Sequence, residues 1–169
     1  MIRRGFTLIE TMVSLAIVGF LASVAIPGFQ NLLYQSKRTE RAINVENFGR
    51  AVIDYMGAHE GRLPANWDFG AFRIAWALPN PAMNPVPAAR AFDANAPIWS
   101  ELSFQPDGRV RYSYELVGEQ GPGYTWFIVY AYGDLDGDHI IDQYYQSWTS
   151  MNGSDWVTTR SPDDHNGPY

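Results

Sequence analysis

The sequence predicts an α+β chain, in which one long N-terminal helix packs on a three- or four-stranded antiparallel sheet. Two patterns support this class. Residues 11–36 form a run of 26 residues without a charged side chain and lead into a helical apolar stripe, whereas residues 109–159 carry strand patterns. With 169 residues, 46% of them hydrophobic, the chain is long enough for one globular domain with a sizeable core.

The uncharged run is long enough to cross a membrane. A helix rises about 1.5 Å per residue, so the run extends about 39 Å, against roughly 30 Å for the hydrocarbon core of a bilayer. Two residues do not suit a plain anchor. An unpaired carboxylate such as that of Glu10 costs about 2.5 to 3.5 kcal/mol at the centre of a bilayer, and Pro27 removes a backbone hydrogen bond and predicts a helix kink.

A specific pattern of residues marks the N-terminus. It consists of a short basic leader, a glycine and a phenylalanine, then a glutamate and a more distant proline: Arg3, Arg4, Gly5, Phe6, Glu10 and Pro27. This pattern resembles the N-terminus of type IV pilins and of the related pseudopilins of type II secretion. The resemblance is close over about the first 30 residues and general in character over about the next 25.

The resemblance implies how the chain is processed and assembled. A prepilin peptidase removes the leader, residues 1–5, by cutting between Gly5 and Phe6, and the same enzyme methylates the new amino group of Phe6. Glu10 then pairs with the Phe6 amine of a neighbouring subunit in a homo-oligomeric helical filament of identical or homologous pilin subunits. The protein lies in the bacterial inner membrane before assembly, and afterwards in a cell-surface pilus or a periplasmic pseudopilus.

Two other interpretations of the N-terminus stay open on the residues alone. The apolar stretch resembles an ordinary secretory signal peptide cut after Ala25, or it is a simple single-span anchor. In a signal peptide, Glu10 interrupts the apolar segment without purpose. Sequencing of the mature N-terminus distinguishes the three possibilities.

Residues 6–58 are predicted to form one helix with two different halves. Residues 6–36 are expected to lie in the membrane and, as the resemblance implies, in the filament core. Residues 37–58 carry apolar side chains at spacings of three and four: Ala42, Val45, Phe48, Val52 and Tyr55. Residues 59–108 hold seven of the eleven prolines, which predicts a connecting loop region without long regular elements and with a short helical piece around residues 69–77. The many aromatic side chains of this region indicate that it is ordered.

Residues 109–169 are predicted to form the antiparallel sheet and an acidic C-terminal region. The predicted strands are residues 109–116, 124–132, 140–149 and a short 156–159. Residues 118–123 are expected to form a turn. The continuous apolar character of residues 124–132 predicts a central strand covered on both faces.

The loop between the second and third predicted strands contains four aspartates. They occupy relative positions 1, 3, 5 and 9 of an EF-hand calcium loop: Asp134, Asp136, Asp138 and Asp142. A bound calcium would also take the backbone carbonyl of Ile140, and Asp142 would bind directly or through water. The match is incomplete, because His139 and Tyr145 replace the usual glycine and glutamate. The alternative is a polar hairpin turn in which aspartates cap backbone amides.

Two further considerations favour calcium in this loop. The aspartates repel one another unless a cation neutralises them, and no lysine or arginine occurs between Asp134 and Thr159. The resemblance adds that major pseudopilins use calcium near the corresponding region.

Charge and composition exclude several classes of function. The formal net charge of -6 lies within residues 134–169 and has the wrong sign for a protein that binds nucleic acid directly. The absence of cysteine excludes disulfides, thiolate zinc sites and a cysteine nucleophile. The N-terminal resemblance implies a structural pilin subunit, major or minor, and no enzyme. The alternatives are a pseudopilin of a type II secretion system and, from another class, a membrane-anchored calcium-binding secreted enzyme.

Overall fold

The computed structural model describes residues 7–83 and 87–160, and it divides into two units, residues 1–36 and residues 37–169. The helix α1 spans Leu8–Ala58 and supplies residues to both units. In the first unit its side chains are exposed almost throughout. Judged by length and composition alone, α1 could cross a membrane. The predicted long N-terminal helix is confirmed.

The second unit is built on antiparallel strands, which confirms the α+β class but exceeds the three or four strands expected. The strands are β1 (Trp67–Phe69), β2 (Phe72–Asn80), β3 (Arg90–Ala91), β4 (Arg109–Val110), β5 (Ser113–Gly121), β6 (Tyr124–Gly133), β7 (Asp142–Ser150) and β8 (Val157–Arg160). Six of them form one sheet in the order β1-β2-β5-β6-β7-β8, and β3 pairs with β4. All of these pairs are antiparallel.

Strand β2 is the main departure from the expected connecting loop. The short helix predicted around residues 69–77 is wrong, because Phe72–Asn80 is extended and pairs with β5. The local pattern has period two, with Ala75 and Ala77 buried and Trp76 between them exposed. Alanine at the buried positions makes the alternation hard to recognise from the sequence. Pro79 lies inside the strand, where the pairing with β5 is irregular between Ala77 and Asn80.

The first predicted strand, residues 109–116, is interrupted. β4 ends at Val110, and the backbone N–H of Arg111 donates to Glu40 of α1 at 2.8 Å. β5 then continues to Gly121, so most of the turn predicted at residues 118–123 is strand. Position 118 requires a glycine, because a Cβ there would lie 2.7 Å from the Cβ of Phe127 on β6.

The core lies between residues 37–58 of α1 and the sheet. Val45, Phe48 and Val52 are fully buried. The ring of Phe48 contacts four other aromatic rings at centroid distances of 4.9 to 5.4 Å, those of Phe92, Trp99, Phe104 and Tyr114. Three of these rings come from the region between β2 and β4, which orders that region against the helix.

Strand β6 is covered on one face only. Its residues alternate between buried and partly exposed along its whole length, and Phe127 and Val129 are fully buried on the side of α1. The expectation of a strand covered on both faces is therefore wrong. The apolar character of the other face comes from aromatic side chains that remain partly exposed.

Candidate functional site

The first turn of α1 is closed by a capping box between Thr7 and Glu10. The Glu10 Oε2 atom accepts hydrogen bonds from the Thr7 backbone N–H at 2.8 Å and from the Thr7 hydroxyl at 2.7 Å. In return, the Glu10 backbone N–H donates to Thr7 Oγ1 at 3.3 Å. This reciprocal pattern satisfies donors that a helix N-terminus leaves free, and the carboxylate also suits the positive end of the helix dipole.

The capping box supplies hydrogen-bond donors to the Glu10 carboxylate. The carboxylate has hydrogen-bond donors within its own chain, but both are neutral groups of Thr7 and do not balance its negative charge. The two donors share Oε2, and a third donor can approach Oε1. Gly5 and Phe6, the predicted cleavage and methylation positions, lie outside the described residues. The sequence signal Thr-x-x-Glu before an apolar run could have revealed the cap.

The rest of the first unit presents an apolar surface. The large hydrophobic side chains of α1 that are exposed in this unit include Leu8, Ile9, Met12, Val13, Leu15, Ile17, Val18, Phe20, Leu21, Val24, Ile26, Phe29, Leu32 and Leu33. The helix continues through Pro27, whose predicted kink stays a prediction. An apolar surface of this extent marks a region that contacts lipid or other protein.

The acidic loop gathers three of its four aspartates. One carboxylate oxygen each of Asp134, Asp136 and Asp138 lie within 4.8 Å of one another. Asp134 is buried and accepts hydrogen bonds from the backbone N–H groups of Gly137 at 2.6 Å and His139 at 3.1 Å. His139 adopts a positive φ of 67°, a conformation that histidine tolerates better than most side chains. Oxygen donors of this kind suit a hard cation such as calcium.

The fourth aspartate points elsewhere. Asp142 begins β7, and its Oδ2 atom accepts hydrogen bonds from the Arg41 guanidinium of α1 and from the Tyr112 hydroxyl. Burial raises the pKa of Tyr112, and the negative charge of Asp142 raises it further. Asp142 therefore joins the acidic loop to the helix, while the first three aspartates form the cluster.

The chain is similar to known proteins over part of its length. Residues 1–26 match the family described as the prokaryotic N-terminal methylation motif. The type IV major pilin protein PilE1 of Neisseria gonorrhoeae is 40% identical over 65 residues, which are 38% of this chain and 39% of that protein. Fimbrial protein EcpC of Eikenella corrodens is 32% identical over 90 residues, which are 53% and 57% of the two chains. Fimbrial protein Q of Moraxella bovis is 37% identical over 62 residues, which are 37% and 38%.

The match thus spans about two fifths of the length of the gonococcal pilin. No solved structure shows significant similarity to the chain. The methylation motif, the exposed apolar helix and the sheet packed on the second half of that helix agree with the pilin-like fold expected from the sequence. In these features the chain is similar to type IV pilins. The relatives are named as pilin and fimbrial proteins, in keeping with the expectation of a structural protein and not an enzyme.

Proposed function

We propose that the chain is a structural subunit of a type IV pilus-like filament, assembled through its N-terminal helix. The observation that carries this proposal is the methylation motif in residues 1–26, which leads into a helix whose apolar side chains are exposed. Burying apolar surface yields roughly 25 cal/mol per Å², so the helix is most stable in lipid or among copies of itself. Homologous helices provide such a surface in a filament.

In this proposal a prepilin peptidase cleaves between Gly5 and Phe6 and methylates Phe6 while the helix lies in the inner membrane. The subunit then moves into a filament at the cell surface. The new ammonium group of Phe6 approaches the Oε1 atom of Glu10 in a neighbouring subunit, while Oε2 keeps its bonds to Thr7. The two interactions are compatible because they use different oxygens of one carboxylate.

The relatives favour a pilus over the alternatives. Those described above are named as major pilin or fimbrial proteins, and this supports a pilin more than a pseudopilin of type II secretion. A membrane-anchored calcium-binding enzyme shares the helix and the acidic loop, but it does not account for the methylation motif. Detection of the chain in filaments sheared from cells tests the pilin assignment directly.

The role of Glu10 is tested by comparing two variants of the same cap. Glu10→Ala removes the carboxylate that accepts the two cap bonds and makes the proposed contact between subunits, whereas Thr7→Ala removes the hydroxyl bonds of the cap and keeps the carboxylate. We expect Glu10→Ala protein to accumulate in the membrane and to be lost from sheared filaments, while Thr7→Ala protein still assembles. Normal filaments from Glu10→Ala would refute the assembly role of this residue. Equal loss from both variants would assign the effect to the helix cap.

We further propose that the acidic loop binds one calcium ion. Asp134, Asp136 and Asp138 would supply carboxylate oxygens, and Ile140 would supply its backbone carbonyl. Direct ligation by Asp142 competes with its bond to Arg41, so Asp142 is better suited to contact through water. The clustering of the three aspartates supports this proposal, because a divalent cation relieves their mutual repulsion.

A further inference from the structure

The face of the six-stranded sheet turned away from α1 is rich in aromatic side chains. Residues paired across antiparallel strands share a face, and successive residues of one strand alternate between faces. Leu116 and Val129 are paired and buried on the helix side. Glu115 and Tyr130, each next to one of them, are also paired and therefore lie on the outer face. Tyr145 of β7 pairs with Tyr130 and extends this row.

Glu115 accepts hydrogen bonds from aromatic side chains of both neighbouring strands, β2 and β6. Its Oε1 atom accepts a hydrogen bond from the indole N–H of Trp76 at 3.1 Å, and its Oε2 atom accepts one from the Tyr132 hydroxyl at 3.1 Å. The ring of Tyr130 lies 5.7 Å from that of Tyr132 and 5.6 Å from that of Tyr145. We call Glu115, Trp76, Tyr130, Tyr132 and Tyr145 the Glu115 cluster.

The outward positions of the four central strands carry charge of one sign. In strands β2, β5, β6 and β7, all of whose residues are described, the charged side chains at outward positions are Glu115 and Glu119. Burial raises the pKa values of Tyr130 and Tyr132, and the negative charge of Glu115 raises both further. Arg90 reaches one end of this face, where its guanidinium donates to the Ser113 hydroxyl at 2.9 Å. The two carboxylates disfavour nucleic acids and other polyanions around Glu115, and they favour a positively charged ligand there.

We propose that the Glu115 cluster binds a quaternary ammonium group of the choline type. Aromatic rings attract such a cation through their electron-rich faces, and the carboxylate supplies the opposite charge. Both oxygens of Glu115 already accept hydrogen bonds, which limits bidentate pairing with a guanidinium group. A quaternary ammonium has no N–H to satisfy, so it gains from rings and charge without new hydrogen bonds. This site is independent of the filament function.

The test is a titration of the full chain, in an uncharged maltoside detergent, with choline followed by calorimetry. We expect saturable binding with a dissociation constant of about 1 mM, equivalent to about 4 kcal/mol. The neutral isostere 3,3-dimethylbutan-1-ol should bind at least about tenfold more weakly, since it lacks the charge. Glu115→Gln should weaken choline binding by a similar factor. The matched variant Glu119→Gln, which changes the other carboxylate of the same face, should bind as the wild type does.

Phosphocholine and a neutral oligosaccharide complete the experiment. Binding of phosphocholine as well as choline would extend the site to lipid headgroups, whereas binding of choline alone would restrict it to free amines, and both results support the site. Absence of choline binding, equal binding of the neutral isostere, preferential binding of the oligosaccharide, or unchanged binding by Glu115→Gln would overturn it. If circular dichroism shows that Glu115→Gln is unfolded, Tyr145→Leu replaces it, because Tyr145 contributes a ring to the cluster.

Discussion

Arg41 of α1 donates a hydrogen bond to Asp142 of β7, which lies 101 residues further along the chain. The two side chains are only 3% and 13% exposed. The Arg41 guanidinium also lies 5.2 Å from the centre of the Tyr144 ring. This ion pair fixes the start of β7 against the helix and so positions the end of the acidic loop.

Arg41→Ala is expected to destabilise the second unit strongly. Removing one partner of a buried ion pair leaves the other charge without compensation, at a typical cost of about 3 to 5 kcal/mol. Chemical denaturation of the full chain in detergent measures this loss. The control is Arg50→Ala, because Arg50 pairs with Glu46 but is 71% exposed, and this change should cost at most about 1 kcal/mol. Equal losses from the two variants would contradict a special role for the buried pair.

Gly49→Ala is expected to destabilise the packing of α1 on the sheet. A Cβ at Gly49 would lie 2.0 Å from the Trp148 ring, so the helix or the indole must move. Overpacking of this kind costs typically about 1 to 3 kcal/mol. Gly57→Ala is the matched control, because no atom lies within 4 Å of its added Cβ. There alanine should stabilise the helix by up to about 1 kcal/mol, and thermal unfolding should shift in opposite directions for the two variants.

Local patterns explain which parts of the fold were predictable. The long apolar run predicts the first half of α1, and the spacing of Val45, Phe48 and Val52 predicts the buried face of the second half. Each signal lies within one stretch of sequence. The sequence pattern does not predict β2, because its buried positions are alanines next to a proline-rich segment. Its pairing with β5 is also a contact between residues distant in sequence.

In the candidate sites, too, contacts within a short stretch of sequence are predictable and contacts between distant residues are not. The three clustered aspartates lie within five residues, so the sequence could suggest a shared site. The partner of Asp142 could not be inferred, because many arginines precede it and only the folded topology places Arg41 beside it. The cap formed by Thr7 and Glu10 is predictable from the Thr-x-x-Glu spacing alone, because both of its residues lie within one helical turn.

Glu46 is expected to make stability depend on acid pH. Partial burial raises the pKa of the Glu46 carboxyl, but hydrogen bonds from Gln146, Arg50 and Arg160 outweigh burial and lower it below its ordinary 4.5. A lowered pKa stabilises the fold above about pH 4.5, and this contribution is lost as the pH falls through the folded-state pKa. The arginines are exposed, so the contribution should be below about 1 kcal/mol.

The variant Glu46→Gln isolates this contribution. The difference in free energy of unfolding between wild type and variant should be largest near neutral pH and should shrink below pH 4.5. Urea denaturation at a series of pH values measures the difference. A difference that stays constant from neutral to acid pH would mean that the charge of Glu46 does not contribute.

Calcium is expected to raise the melting temperature of the full chain in detergent. A ligand that binds only the folded state stabilises it by about 2.7 kcal/mol at a concentration 100 times its dissociation constant, and a chelator should reverse the shift. Asp136→Asn should abolish the shift, because Asp136 belongs to the aspartate cluster. Asp107→Asn removes an exposed carboxylate outside the loop and should leave the shift intact. If millimolar calcium does not change the melting temperature of the wild type, the loop is a polar turn stabilised by its own hydrogen bonds, with Asp134 capping Gly137 and His139.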